Sequence, residues 1–230
     1  MENKSVASLA EFIANTSAHP PAELILFRGQ SRAYDLCPKI ARADPNKDTT
    51  SVEQVMLDEL RRRGDMFLNM AQKDDWELMT VAQHFGMATR LLDWTSNPLV
   101  ALWFAVAYAH KDEPAFVYSF KVASARIVNR KTTPSPFGSG KTKVFKPTLN
   151  NARIIAQSGW FTSHKHSSRA NRFVAFQKNP DVTNDITQYE VPPTLHASIA
   201  SQLNVLGINY QTMFPDIEGL CRHINFLHGH

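Results

Sequence analysis

The stretch NPLVALWFAVAYAH, residues 97–110, is apolar on every face of a helix. A surface helix shows one apolar stripe, so a helix of this kind must be covered on all sides. Asn97 is a suitable N-cap and Pro98 fits the first helical position, which fixes where the helix begins. Its apolar run, Leu99–Ala109, is shorter than the roughly 20 residues needed to cross a bilayer. The helix therefore belongs in the middle of a folded core, and 230 residues suffice to build one around it.

The flanking segments supply candidate layers. Glu23–Phe27 (ELILF) reads as a buried strand running into Arg28-Gly29-Gln30, and Ala115–Val122 (AFVYSFKV) as a second strand. Leu91–Trp94 is a short strand or turn. Helices are expected over Ser5–Ser17, stopped by Pro20 and Pro21, and over Ser51–Ala71 with a possible break at Gly64. Another runs from Asp74/Asp75 to near Gly86, followed later by Pro193–Leu206 and Asp216–Ile224. Lys131–Pro147, with three prolines and two glycines, reads as a long loop. Further short strands are expected near Arg153–Ala156, Arg172–Gln177 and Thr187–Val191. The pattern predicts an α+β single domain over 1–230, with a mixed or split, mainly antiparallel sheet flanked by helices.

Charge is unevenly spread. Between Pro114 and Pro180 there is no Asp or Glu, yet this stretch holds twelve of the 25 Lys and Arg. The remainder has 13 basic residues against all 21 acids, so an acidic protein carries one strongly basic segment. Such a footprint favours a phosphate or polyanion ligand over a merely solvated face. Cys37 and Cys221 are far apart and form no C-x-x-C pair, which argues against a disulfide framework or structural zinc. His164/His166 and His228/His230 are the closest histidine pairs, and no metal site is expected from them. The opening MENKSVASLAEF places charges where a signal peptide needs an apolar run, so a cytoplasmic location is expected.

Three stretches carry more polar chemistry than a core or surface needs. In Phe27-Arg28-Gly29-Gln30 an apolar strand ends on an arginine able to fork onto phosphate oxygens. In Gln83–Pro98 (QHFGMATRLLDWTSNP), His84, Arg90, Asp93, Thr95 and Ser96 crowd between apolar helices, where polar groups must be hydrogen-bonded. Arg90 with Asp93 could be a structural ion pair, and Asp93 or Thr95 could cap the next helix. In Arg153–Thr162 (RIIAQSGWFT), Gln157 follows an apolar run and Gly159 precedes Trp160 and Phe161.

Phe27–Gln30, QHFGMATRLLDWTSNPLVALWFAV, RIIAQSGWFT and LGINYQTMFPDIEGL together resemble the FRG domain, over nearly the whole chain. A weaker similarity is to ADP-ribosyltransferases of the R-S-E or H-Y-E kind. In those, a strand-end Arg or His holds NAD, a second strand carrying S-T-S leads into an apolar helix, and a later strand supplies a glutamate. That resemblance implies an ADP-ribosyltransferase-like fold and NAD as substrate. It puts Arg28 in the first place, Asp93-Trp94-Thr95-Ser96 before Ala101–Phe104 in the second, and Arg153–Phe161 in the third. Gln157 stands at or near the glutamate, so the carboxylate must come from Asp93 or Glu190, or be absent.

On this reading the catalytic set is Arg28, His84, Asp93 and Gln157. NAD contacts would come from Arg28, Gly29, Gln30, Arg90, Thr95, Ser96 and Phe104. Lys141, Lys143, Lys165, Arg169, Trp160 and Phe161, with the His164/His166 loop, would face a nucleic-acid or protein acceptor. A toxin or phage-defence effector is one such enzyme. The alternative is a nucleic-acid-binding or phosphodiester-processing module without NAD, in which Trp160 and Phe161 stack bases. A third possibility is a catalytically silent interaction domain. Oligomeric state is not legible from the sequence.

Overall fold

A computed structural model describes residues 1–20, 22–148 and 151–229; Pro21 and His230, named above, lie outside them. The chain opens with β1 (Glu2–Ser5), α1 (Leu9–Ser17) and β2 (Ile25–Gln30), then α2 (Thr50–Gly64) and α3 (Asp75–His84). Next come β3 (Leu91–Thr95), α4 (Pro98–Val106), β4 (Ala115–Lys121) and β5 (Lys143–Phe145). The second half holds α5 (Ala152–Ala156), β6 (Gly159–Ser163), β7 (His166–Ser167), β8 (Arg172–Phe173) and β9 (Ile186–Val191). It closes with α6 (His196–Val205), α7 (Tyr210–Met213) and α8 (Ile217–His228).

Seven strands form one sheet in the order β1-β9-β4-β2-β3-β6-β5, and β7 and β8 pair apart from it. Among the strands of this sheet in the described residues the β1–β9 pairing is parallel and the others are antiparallel, with one isolated parallel bridge from Ile127 to Val144 of β5. The fold is therefore α+β with a mixed, mainly antiparallel sheet. Its halves are joined weakly. β2 pairs with β4 over six residues, whereas β2 and β3 share the single pair Phe27–Thr95. Beyond that pair the two strands diverge, and the sheet splits.

Alternation along β2 sorts its side chains between two cores. Ile25 and Phe27 pack with α1, α4 and α6, around Val100, Ala101, Leu102, Trp103 and Ala105. Leu26 joins Leu36, Leu92, Trp94, Phe120 and Phe176 on the opposite face. A third cluster packs α2 and α3 against β3, β5 and β6 through Leu57, Trp76, Met79, Leu91 and Phe161. As the sequence required, α4 is covered nearly all round, with Ala101, Leu102 and Ala105 fully buried. It approaches the sheet closely at Gly29. A Cβ there would sit 1.9 Å from the Ala101 carbonyl oxygen and 2.7 Å from the Ala105 nitrogen. The glycine of Phe27-Arg28-Gly29 is thus needed for backbone-to-backbone packing.

Several boundaries differ from expectation. The Ser5–Ser17 helix begins only at Leu9, capped by Ser8, because Glu2–Ser5 pairs with β9 instead. α2 ends at Gly64 rather than Ala71, where Asp65 accepts from the Met70 and Ala71 amides and folds the chain back. α2 begins at Thr50, one residue before the expected Ser51. Arg153–Ala156 is helical, not a strand. Asn151 caps it by accepting from the Arg153 amide at 2.8 Å, and local capping outweighs the β preference of two isoleucines. The strand begins six residues on, at Gly159–Ser163. Arg172–Gln177 yields only the two-residue β8 before a 3-10 turn at Phe176–Lys178. β5 interrupts the Lys131–Pro147 loop.

His164 sits just past β6 and is 4% exposed. Trp94 donates its indole N–H to Thr162 Oγ1 at 2.9 Å, and Thr162 Oγ1 shares a hydrogen bond with His164 Nε2 at 2.9 Å. Burial, reinforced by the nearby Arg28 and Arg90 cations, pushes its pKa down from 6.5 to about 3. It cannot face an acceptor, contrary to the expectation for the His164/His166 loop.

Two outcomes follow from this architecture. Gly29→Ala should lower stability by roughly 3 kcal/mol or more, since the clash is with helix backbone that cannot rotate away. The urea midpoint measures it. For His164, the unfolded chain takes up a proton below pH 6.5 that the folded chain refuses down to about pH 3. Stability should therefore fall as pH drops through that window, by about 1.4 kcal/mol per unit from this group alone. Denaturation at a series of pH values should show a flatter acid limb for His164→Gln.

Candidate functional site

A cavity of about 370 Å3 opens where the sheet splits, a volume suited to a small ligand. β2 contributes Phe27, Arg28 and Gly29; β3 contributes Asp93, Trp94 and Thr95. Gln83 and His84 come from the end of α3, and Ala101 and Phe104 from α4. Arg153, Ile154, Gln157, Gly159, Trp160 and Phe161 come from α5 and β6, and Phe214 closes one side.

Arg28 occupies the split itself. Its Nη1 donates to the Asp93 main-chain carbonyl at 2.8 Å, and lies 3.7 Å from Asp93 Oδ2. Its Nε is buried without a partner. Burial lowers the pKa of this guanidinium, the Asp93 carboxylate opposes the shift, and Arg42 adds to it. An arginine this short of acceptors, in a cavity wall, keeps donor capacity suited to an anionic group.

Asp93 is exposed to the cavity and is aimed by a relay. Gln83 Nε2 donates to Asp93 Oδ1 at 2.8 Å, and the Thr89 hydroxyl donates to Gln83 Oε1. Because Thr89 takes the amide oxygen, the nitrogen must face Asp93. His84 Nε2 lies 2.9 Å from Asn151 Nδ2, whose own Oδ1 caps α5. The amide nitrogen can only donate, so His84 Nε2 accepts. Burial, with Arg153 nearby, lowers the His84 pKa and favours that neutral ring.

The far wall is a turn. Gln157 ends α5, Ser158 adopts a left-handed φ of 47°, and β6 begins at Gly159. Gln157 Nε2 donates to the Met213 carbonyl at 3.0 Å, tying this turn to the C-terminal segment. Arg153 binds Asp216 at 2.6 Å and lies over the Phe214 ring at 5.2 Å. Asp216 is held below the ordinary carboxylate range by the Gly219 amide and by Arg153.

Of the expected site residues, Arg28, Gly29, His84, Asp93, Thr95, Phe104 and Gln157 line this one cavity, from positions as far apart as 28 and 157. Thr95 Oγ1 also accepts from the Asn97 amide, a local turn bond. Gln30 lines a second cavity that shares Arg28, Gly29 and Phe104 with the first. Ser96 lines neither, and its amide donates to the Ser158 carbonyl at 3.1 Å.

Arg90 is not a cavity residue, and it does not pair with Asp93. It is 1% exposed, with its amide and Nε donating to Glu53 at 2.6 and 2.7 Å, and its guanidinium stacked on Phe137. Burial raises the pKa of Glu53 against the pull of Arg90. Glu190, the other candidate carboxylate, lies on β9, two strands from β2, and lines neither cavity. Among the described residues, Asp93 is the one carboxylate lining the first cavity.

The expected acceptor face is dispersed. Lys141, Lys165 and Arg169 are exposed, but Lys143 bonds the Ala125 carbonyl at 3.1 Å. Phe161 is 6% exposed and packed in the core, so its ring is not free to stack a base. Trp160 lies in the cavity wall with Lys146 over its ring at 5.4 Å.

Sequence reasoning assigned no role to Gln83, Arg153 or Phe214. Each sat inside a motif already singled out, but the partner that gives it a role lies 10 to 63 positions away. Arg90→Ala should cost about 3–5 kcal/mol, the penalty of stranding a buried Glu53 carboxylate. Chemical denaturation tests this, and Glu53→Leu combined with Arg90→Met should recover much of the loss.

No helix among the described residues is long and apolar enough to cross a membrane. No curated protein and no solved structure matches the chain. The family model described as FRG domain matches residues 23–114. That span takes in Phe27–Gln30 and Gln83–Val106 but leaves out RIIAQSGWFT and LGINYQTMFPDIEGL, so the resemblance over nearly the whole chain narrows accordingly. Over 23–114, where Arg28, His84 and Asp93 lie, the match supports the FRG family.

Proposed function

We propose that the cavity binds NAD and transfers its ADP-ribosyl group to a nucleic-acid or protein acceptor. The observation that carries this reading is the pairing of Arg28, a buried guanidinium short of acceptors, with Asp93, an oriented carboxylate, in one cavity. The three motif-bearing segments also adjoin. β2, β3 and β6 are neighbours in the sheet, and the row Phe27–Thr95–Gly159 crosses all three beside the cavity.

In the reaction the bond between the nicotinamide nitrogen and the ribose C1′ breaks, and nicotinamide leaves with the bonding electrons. The acceptor's oxygen or nitrogen forms the new bond to C1′ and loses a proton to solvent or to Asp93. Arg28 grips the diphosphate. Asp93, held by Gln83, stabilises the positive charge that develops on the ribose, the task a glutamate performs in ADP-ribosyltransferases. His84 and Thr95 position the ribose, and neutral Gln157 contacts ribose or acceptor without contributing charge.

Incubation with NAD and nucleic acid or protein, followed by mass spectrometry, should reveal an adduct of ~541 Da, the ADP-ribosyl mass. Asp93→Asn should lower kcat about 10²–10³-fold with little change in NAD affinity. Arg28→Ala should weaken NAD binding by roughly 1.5–3 kcal/mol, as calorimetry would show. Protection against thermal unfolding by an oligonucleotide but not by NAD would sink the transferase reading in favour of a nucleic-acid module.

A further inference from the structure

The cavity at the split is not the whole of the cleft. A second cavity, of about 700 Å3, adjoins it and shares Arg28, Gly29 and Phe104 as a common wall. Arg28 therefore stands at the junction of two lobes. Arg42 lines the second lobe from the segment after β2. Its Nε donates to the Cys37 carbonyl at 3.2 Å, and among the described residues no carboxylate lies in salt-bridge reach of its guanidinium. Asp35 lines the same lobe, but Lys178 holds it at 2.8 Å and Gln177 Nε2 donates to it at 2.8 Å. Two guanidinium groups thus border one space whose only carboxylate is already engaged. The other walls suit a nucleoside. Tyr34 and Tyr108 are large, exposed aromatic surfaces, and Gln30 is nine-tenths buried with Oε1 lacking a partner.

We propose that this second lobe binds the ADP half of the dinucleotide. Arg42 and Arg28 share the diphosphate, Tyr34 and Tyr108 flank the adenosine, and Gln30 Oε1 accepts from an N–H or O–H of the nucleoside. This rests on the NAD reading above for the other half of the ligand, which enters the first cavity past Arg28. The placement explains why Arg28 lies between the lobes: a diphosphate joins the two nucleoside halves of such a molecule. It also gives Arg42, which the sequence did not single out, a defined task.

Calorimetry with ADP and, separately, with nicotinamide mononucleotide tests the assignment. Wild-type protein should bind ADP. Arg42→Ala should weaken ADP and NAD on the order of tenfold or more, the loss of a charged hydrogen bond, while leaving the mononucleotide unchanged. Tyr34→Ala should weaken ADP by a similar factor through lost stacking. Both side chains are exposed, so unchanged thermal melts will show that neither variant acts through misfolding. Failure of wild type to bind ADP, or unchanged ADP and NAD affinity in Arg42→Ala, overturns the proposal. The two readings fail separately. Arg42-dependent ADP binding without any adduct from NAD would leave the second lobe standing and remove the transferase. Adduct formation with no Arg42 dependence would do the reverse.

Discussion

Beyond the Phe27–Thr95 pair, β2 and β3 stop exchanging backbone hydrogen bonds, and β3 needs another donor for its Asp93 carbonyl. Arg28 supplies it from its side chain. The same guanidinium that keeps the split sheet satisfied is thereby placed in the cavity wall, with nitrogen left over. Gly29 makes the arrangement possible from the other side. With no Cβ, it lets the backbone of α4 rest directly on β2, so the helix walls the cleft at Phe104 while its core face seals the sheet. Phe27, Arg28 and Gly29 thus serve the core, the split and the helix contact in succession.

The acid-free segment takes on a different meaning once folded. Lys121 meets Glu23, Arg130 meets Asp74 and Glu77, Arg153 meets Asp216, and Lys178 meets Asp35. Each of these carboxylates lies outside 114–180, so for four of the twelve cations in that segment the charge asymmetry along the chain is complementarity between its parts. Most of these pairs are partly exposed, and each alone contributes little to stability. Their effect is on geometry. Arg130 braces the start of α3, which ends at Gln83 and His84, and Arg153 fixes the C-terminal segment beside the cavity.

What could be read from the sequence divides along physical lines. The burial of α4, its Asn97 cap and the strand AFVYSFKV were legible because composition and capping are local properties, whereas the strand expected over Glu23–Phe27 starts at Ile25 and continues through Arg28 to Gln30, held by its pairing with β4. The Arg153–Ala156 helix was not, because one Asn151 side chain decided against two isoleucines. β1 was missed because it exists only by pairing with β9, some 185 residues on. The site shows the same division. Arg28, His84, Asp93 and Gln157 stood out as polar groups in apolar company, and they line one cavity. Arg90 stood out for the same reason, yet its partner is Glu53, an ordinary-looking residue on the surface-like sequence of α2. Polarity amid apolar neighbours marks a residue that must be satisfied; it does not say whether a ligand or the protein does so.

That distinction bears on where the charge of the site resides. Gln157 ends α5, and its amide is spent on the Met213 carbonyl, so it acts first as a strut for the C-terminal wall. Asp93 is placed differently. Its main-chain carbonyl holds Arg28, and its carboxylate is aimed by Gln83 and lies near the same guanidinium. One residue therefore fixes the cation through its backbone while presenting the anion through its side chain. Under the proposed reading, this places a positive group for a diphosphate and a negative group for a developing ribose cation a few ångströms apart. The two charges also shield one another before any ligand arrives, which lowers the cost of holding a largely buried guanidinium in the cavity wall. A ligand carrying the opposite pair of charges would meet both at once, so the attraction within the site is largely exchanged for attraction to the ligand, with little reorganisation of the protein around it.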